Sequence, residues 1–342
     1  MRYQPPYRIS EQILKLVSDL SAAIARYELL EPKLMTPMLR KELKIRTIVG
    51  TLEIEGNTLG KERVTAILDG KHVLGSPREI AEVKGAIQVY DQLDGFEVHS
   101  MQDLLRAHDM LMGDILKDAG KFRHSAVGVG GPEGLVHIAP PAKKVPGLTE
   151  DLFRWLSQTD AHALIKGCVF HYELEFIHPF TDGNGRIGRL WQTLILHDYK
   201  SIFSSLPIES IIRENQQQYY DALEASGSQG ESTLFIEFML GIILDTIDDT
   251  LAIGQVTGQV KSLLDVMGDS WWSTQELMKK LGLSHRQTFR ENYLNPALDK
   301  GLVEMQNSES PRSPKQKYRL KKEQVHKVNM LRESVGSWGR RY

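Results

Sequence analysis

The chain has 342 residues, with 42 basic against 44 acidic side chains and a single cysteine. That length allows two or three domains, the balanced charge excludes a general attraction to nucleic acid or membrane, and one cysteine excludes an internal disulfide framework and fits a reducing cytoplasm. No apolar run reaches the ~18 residues that span a bilayer, and no apolar signal segment opens the chain, so a cytoplasmic protein without membrane contact is expected.

In chain order, Ser10 to Leu30 carries apolar residues at helical spacing (Ile13, Leu14, Val17, Leu20, Ile24), with Ser10 as N-cap and Pro32 as the expected break. A second helix is predicted from Leu39 to about Glu55, closed by Gly56 and Asn57 in left-handed conformation. Three more are predicted over Lys61–Leu68, Ser76–Leu93 and Ser100–Leu116; His108 on the last receives no role. From Gly120 to Pro146 glycine, proline and alternating apolar residues take over, and Val127–Val129 and Leu135–Ile138 around Gly130–Gly134 predict a β-hairpin. Helices follow over Leu148–Leu156 and Asp160–Ile177. The second is apolar nearly all round, which makes it the buried central helix; Cys168 fills core there rather than acting as a nucleophile.

That helix delivers the stretch His178–Arg189, H-P-F-T-D-G-N-G-R-I-G-R. Gly183 and Gly185 let the backbone take φ > 0 and approach a ligand, and successive N–H groups in such a turn form an anion-binding nest. Ile187, Leu190, Trp191 and Leu194 have helical spacing, which puts the nest at a helix N-terminus, where phosphate is favoured. Arg186 and Arg189 share one face of that helix and suit bidentate phosphate contact. Asp182 is a hard oxygen ligand for Mg²⁺, and His178 can take a proton from an attacking hydroxyl.

Further on, Ile208–Ala225, with Tyr219 and Tyr220, and Leu234–Ala252 are predicted helices. Past a linker near Gly254–Gly258, Ser273–Glu276 reads as a capping box. A longer helix over His285–Lys300 and two strands within Val303–Leu320 complete an order similar to a winged helix-turn-helix. Six basic residues lie between Lys315 and Lys327, so the segment is read as contacting DNA or protein, or as a dimerising module.

The stretch His178–Arg189 resembles the signature of the Fic family, H-x-F-x-[D/E]-G-N-G-R-x-x-R, at every defined position, and the likeness extends from about Arg8 to Leu251. The resemblance implies a mostly α-helical bundle with a β-hairpin flap, transferring AMP from ATP to protein hydroxyls. It implies His178 as general base, Asp182 as the Mg²⁺ (or Mn²⁺) ligand, and Asp182, Gly183, Asn184, Gly185, Arg186, Ile187, Gly188 and Arg189 around the nucleotide. Thr51-x-x-x-Glu55-Gly56 resembles the family's inhibitory motif, whose glutamate pairs with the second signature arginine, here Arg189. By the same likeness the flap holds the target, Leu135, Val136, His137 and Ile138 border the adenosine, and Tyr219 and Tyr220 lie near the base; Gly227 stands where relatives have an asparagine.

The expected organisation is a helical region with the inhibitory motif (1–95), a catalytic core (96–252) and a winged helix-turn-helix (259–330). The expected function is a protein adenylyltransferase acting on Ser, Thr or Tyr hydroxyls, its own included, and restrained by Glu55. Two alternatives stand beside it: removal of AMP by the same site, and a DNA-binding regulator with a vestigial core.

Overall fold

The Ser10 hydroxyl accepts a hydrogen bond from the Ile13 N–H and so opens α1 (Glu11–Leu34) as the sequence predicts. The computed structural model describes residues 3–35, 37–131, 134–254, 258–268, 270–299, 301–307, 309–310, 313 and 316–321. Pro32 does not end α1. It lies in the last turn, where its missing N–H removes one bond, and the Met35 N–H closes the helix on the Glu31 carbonyl.

Next come α2 (Pro37–Ile54), α3 (Gly60–Leu68), α4 (Pro77–Asp91) and α5 (Met101–Met112). Gly56 takes the left-handed conformation after α2, but Asn57 does not; its N–H reaches back to the Leu52 carbonyl instead. α5 stops four residues before the expected Leu116, at Gly113 and Asp114, both weak helix formers. β1 (Gly128–Gly131) and β2 (Gly134–Ile138) form the expected antiparallel hairpin, with an irregularity between Val129 and Gly130 at which the pairing skips Val136.

α6 (Val145–Gln158), α7 (Ala163–Ile177) and α8 (Asn184–Tyr199) follow. α7 and α8 lie against each other at the centre of the core, with Phe153, Phe170 and Trp191 packed ring against ring. The single helix expected over 208–225 is two, α9 (Ile208–Glu214) and α10 (Gln216–Gln229). The Asn215 side-chain amide donates to the Ile211 carbonyl, competing with the backbone and turning the chain. α11 (Thr233–Gly254) completes this part.

The chain divides into two compact units, Met1–Thr250 and Leu251–Tyr342. The helices before Gly95 and those after it share the first, for α2 packs on both α8 and α9. The second contains α12 (Gly258–Met267), β3 (Trp272–Ser273), α13 (Thr274–Lys280), α14 (Arg286–Phe289), α15 (Asn295–Asp299), β4 (Val303–Met305) and β5 (Lys317–Leu320). The Ser273–Glu276 capping box is present. The helix expected over 285–300 contains a π-turn at Arg290–Leu294, just before Pro296, which has no N–H for the preceding turn. Its sheet is antiparallel in the order β3-β5-β4, over a core that includes Leu263, Leu277, Phe289 and Tyr318. Of the basic run Lys315–Lys327, Lys315 and residues 322–327 lie outside the described residues. No helix among the described residues is long and apolar enough to cross a membrane.

Candidate active site

α7 is buried along almost its whole length and ends at His178. His178 has φ 50° and ψ 64°, the only positive φ outside glycine among the described residues. The left-handed region costs an L-residue about 1–2 kcal/mol, and the surrounding bonds hold it there. The His178 N–H bonds the Leu174 carbonyl at 2.9 Å. Arg123, 1% exposed, donates from Nε to the His178 carbonyl at 2.7 Å and from Nη2 to the carbonyls of Pro140 at 2.6 Å and Ile177 at 3.3 Å. Its Nη1 reaches the Ser125 carbonyl at 2.8 Å. One guanidinium thus caps α7 and ties both roots of the hairpin to it.

The loop into α8 is locked from within. The Asn184 side-chain oxygen accepts from the Phe180 N–H at 2.9 Å and its amide donates to the Phe180 carbonyl at 3.0 Å. Only its backbone therefore faces a ligand. His108 braces the loop from α5. The Gly120 N–H donates to its Nδ1 at 2.9 Å, so Nε2 carries the proton and donates to the Asp182 carbonyl at 2.9 Å, while the ring stacks on Phe180 at 3.7 Å. Burial lowers the His108 pKa and keeps this tautomer neutral. Gly183 precedes α8 with φ 84°, and a side chain at Gly185 would meet Glu55 Oε1 at 2.6 Å. The first N–H groups of α8 have no acceptor within the helix, so a bare, positively polarised N-terminus faces the site.

Around it the charges interlock. Arg186, 3% exposed, places Nη2 3.1 Å from Asp182 Oδ1 and Nη1 3.3 Å from Glu82 Oε1. The latter is an ion-pair distance without hydrogen-bond geometry, and Nε and Nη1 stay without a hydrogen-bond acceptor. Arg78 of α4 donates to Asp182 Oδ2 at 2.7 Å. Burial alone would raise the Asp182 pKa, but Arg186, the Gly183 N–H and Arg78 outweigh it and hold the pKa below its ordinary value. Arg189 is 1% exposed; its Nε donates to Thr51 Oγ1 at 3.1 Å, and Nη2 donates to the Thr51 carbonyl at 3.1 Å and to Glu55 Oε1 at 2.8 Å. Burial opposes its charge, yet Glu55, Tyr219 and Glu175 raise its pKa.

A cavity of about 400 Å³ opens over these groups, lined by Glu55, Gly56, Asn57, Arg78, Glu79, Glu82, Asp182 and Arg186. No group of three or more metal-ligating side chains occurs among the described residues. Asp182 fits Mg²⁺ as a single carboxylate working with substrate phosphates: it is ionised, faces the cavity, and is balanced by two guanidinium groups that a cation would replace.

Residues 99–196 match the Fic/DOC family, and residues 258–321 match the C-terminal domain of the Filamentation induced by cAMP protein Fic-like family. The crystal structure of a Fic family protein from Desulfovibrio desulfuricans G20 is 48% identical, covers 94% of this chain and 99% of its own, and superposes with a TM-score of 0.72. The chain belongs to the Fic family. It is also 28% identical over 247 residues to the protein adenylyltransferase Fic of Aedes aegypti, covering 69% of this chain and 45% of that one. It thus spans about half the length of the curated relatives it matches. Fic-1 of C. elegans (residues 134–508), 23% identical with a TM-score of 0.58 over 70% of this chain, shares the fold.

Within this Fic site the structure brings His178, Asp182–Arg189 and Glu55 together. Tyr219 is 2% exposed and packs inward, its hydroxyl 3.0 Å from His171 Nε2. Tyr220 is half-buried, with its hydroxyl 3.4 Å from the Ile54 carbonyl. β2, with Leu135–Ile138, runs beside α10, which carries both tyrosines. Arg123, His108, Arg78 and Glu175 went unassigned in the sequence. A buried arginine serving carbonyls and a histidine serving a loop leave no spacing pattern to read; Glu175, three residues before His178 on a predicted helix, did leave one.

Proposed function

We propose that the protein transfers AMP from ATP to a Ser, Thr or Tyr hydroxyl of a protein target, itself included, and that Glu55 restrains it. The observation that carries this reading is the cavity lined by Asp182, Arg186 and Glu55 beside the N-terminus of α8, with Arg189 bonded to that same Glu55 and His178 at the end of the helix that leads into the loop. The adenylyltransferase names of the curated relatives support it.

The Nδ1 edge of His178 lies 3.3 Å from the Glu175 carbonyl, which favours a proton there and leaves Nε2 as the base. Nε2 takes the proton of the target hydroxyl as its oxygen bonds the α-phosphorus and the bond to pyrophosphate breaks. The N–H groups of Gly183–Gly185 receive the charge that develops on the transferred phosphate. Arg186, with acceptor-free nitrogens already facing inward, and Arg189 neutralise the leaving pyrophosphate. Asp182 would hold Mg²⁺, or Mn²⁺ in its place, which when bound neutralises phosphate charge. The hairpin offers an edge to which an extended target segment can add.

In this reading Glu55 takes the phosphate's place on Arg189, and its Oε1 fills the space over Gly185. Residues 1–95 supply the restraint, 96–252 the chemistry, and 259–330 a winged helix for DNA, protein or a second copy of the chain, which a salt-dependent gel shift and a sedimentation measurement sort out. The helix–strand–helix–helix–strand–strand order of the second unit supports that assignment.

Incubation with α-labelled ATP, Mg²⁺ and cell lysate, followed by mass spectrometry, tests the reading: AMP on hydroxyl side chains is expected. Release of AMP from modified protein, without any labelling, would favour removal instead.

A further inference from the structure

Glu175 lies on α7 one turn before His178, almost wholly inside the protein, with Oε1 buried and without a hydrogen-bond partner. A buried carboxylate oxygen without a donor is costly. His178 and His171 face Glu175 from its own helix, Arg189 from α8, Glu55 from the end of α2 and Tyr219 from α10.

His171 cannot serve it. Its Nδ1 donates to Gln192 Oε1 at 2.6 Å, so its Nε2 is the unprotonated edge that accepts from the Tyr219 hydroxyl at 3.0 Å. Burial pushes its pKa down to about 3, so it stays neutral. Arg189 directs Nε and Nη2 to Thr51 and Glu55. Gly185 and Gly188 turn bare backbone toward Oε1, and a side chain at either would come within 3.3 and 3.4 Å of it. The other oxygen, Oε2, is 3.9 Å from His178 Nδ1.

We propose that Glu175 is a positioning residue for His178: its carboxylate faces the Nδ1 edge, keeps Nε2 turned to the substrate, and stabilises the imidazolium that forms when Nε2 takes the hydroxyl proton. The proton balance is simple: the hydroxyl loses one, Nε2 gains it, and Glu175 supplies the opposing charge without itself being consumed. An opposite charge ~4 Å away in a partly desolvated site acts far more strongly than in water. Burial pushes the Glu175 pKa up to about 7, Arg189 pulls it down and Glu55 pushes it up, so near neutral pH its charge responds to that of its neighbours. The proposal rests on the adenylyl-transfer reading for the role of His178.

The test is a ¹H–¹³C NMR titration of His178 in the full chain, wild type against the isosteric Glu175→Gln. Loss of the facing carboxylate should lower the His178 pKa by about one unit. In a Glu55→Gly background, Glu175→Gln should also lower kcat about tenfold at neutral pH, leave the KM for ATP unchanged, and move the acid limb of the pH profile about one unit lower. An unchanged His178 titration, or an increase in KM with no change in the pH profile, would overturn the proposal. Should Glu175→Gln not fold, the wild-type chain decides: the Glu175 carboxyl and His178 ring resonances should titrate in shared, coupled steps, and independent single steps would overturn it. The titration needs no turnover, so absence of AMP transfer would sink the enzymatic reading without touching this result.

Discussion

Replacing Glu55 by glycine should raise AMP transfer. Arg189 is 1% exposed and the Glu55 side chain 29%, and they share one charge-assisted bond of 2.8 Å. Such a bond contributes about 1.5–3 kcal/mol when shielded, and the partial exposure of Glu55 places it toward the lower end through solvent screening. Each 1.4 kcal/mol is a factor of ten in population, so the competent state should rise about tenfold, approaching a hundredfold if the pair is well shielded. Sterics act in the same direction: Glu55 Oε1 lies 2.6 Å from where a Cβ on Gly185 would sit, so it fills space over the turn proposed to bind phosphate. The assay is initial-rate incorporation of α-labelled AMP over a series of Mg²⁺-ATP concentrations. Arg189→Ala placed on top of Glu55→Gly should cancel the gain, since the freed guanidinium is its source. Equal rates for the wild type and Glu55→Gly at every ATP concentration would refute the inhibitory role and leave the pair a structural contact.

His178→Ala should reduce transfer about 10²–10⁴-fold, the usual cost of losing a general base, while ATP binding measured by calorimetry stays near normal; near-normal labelling would remove His178 from that role. A chain ending at Gly254 should fold and still modify itself, because every residue assigned to the chemistry lies before Thr250 in the first unit; a folded, ATP-binding but inactive product would mean that the second unit completes the site. Arg123→Ala should destabilise by about 3 kcal/mol, since the buried guanidinium that bonds the carbonyls of Ile177, His178, Ser125 and Pro140 is lost from all four. It should also make the hairpin more sensitive to protease; an unchanged melting temperature would contradict that. Burial raises the Glu173 pKa from 4.5 to about 7, with the Tyr3 hydroxyl as its bonding partner at 2.5 Å. A carboxyl whose folded pKa is raised contributes stability that is complete below its unfolded pKa and is lost as pH rises through the folded one. The loss should fall between about pH 4.5 and 7 and amount to about 3 kcal/mol. Thermal melts across that range should slope downward in the wild type and flatten in Glu173→Gln; equal slopes would show that Glu173 does not titrate there.

Much of this protein is written locally. The N-cap Ser10, the capping box at Ser273, the apolar run of α7 and the turn at Gly183 act within a few residues of chain, so the helices and the nest were legible at once. The spacing within His178–Arg189 and within Thr51–Gly56 was legible for the same reason. Helix interruptions were less so: at Asn215 the side-chain amide competes with the backbone, and before Pro296 the missing N–H is taken up by a π-turn instead of ending the helix. What no spacing could show is which distant groups meet. Arg123 lies 55 positions from His178 and Arg78 104 from Asp182, whereas the meeting of Glu55 with Arg189, 134 positions apart, was expected through the resemblance of Thr51–Gly56 to a known motif. Their partners are backbone carbonyls or single charges, which impose no recurrent pattern on the chain. Only the packing of α2, α4 and α5 around α7 and α8 sets these groups at hydrogen-bond distance, because burying their apolar faces fixes where each polar side chain must find its partner.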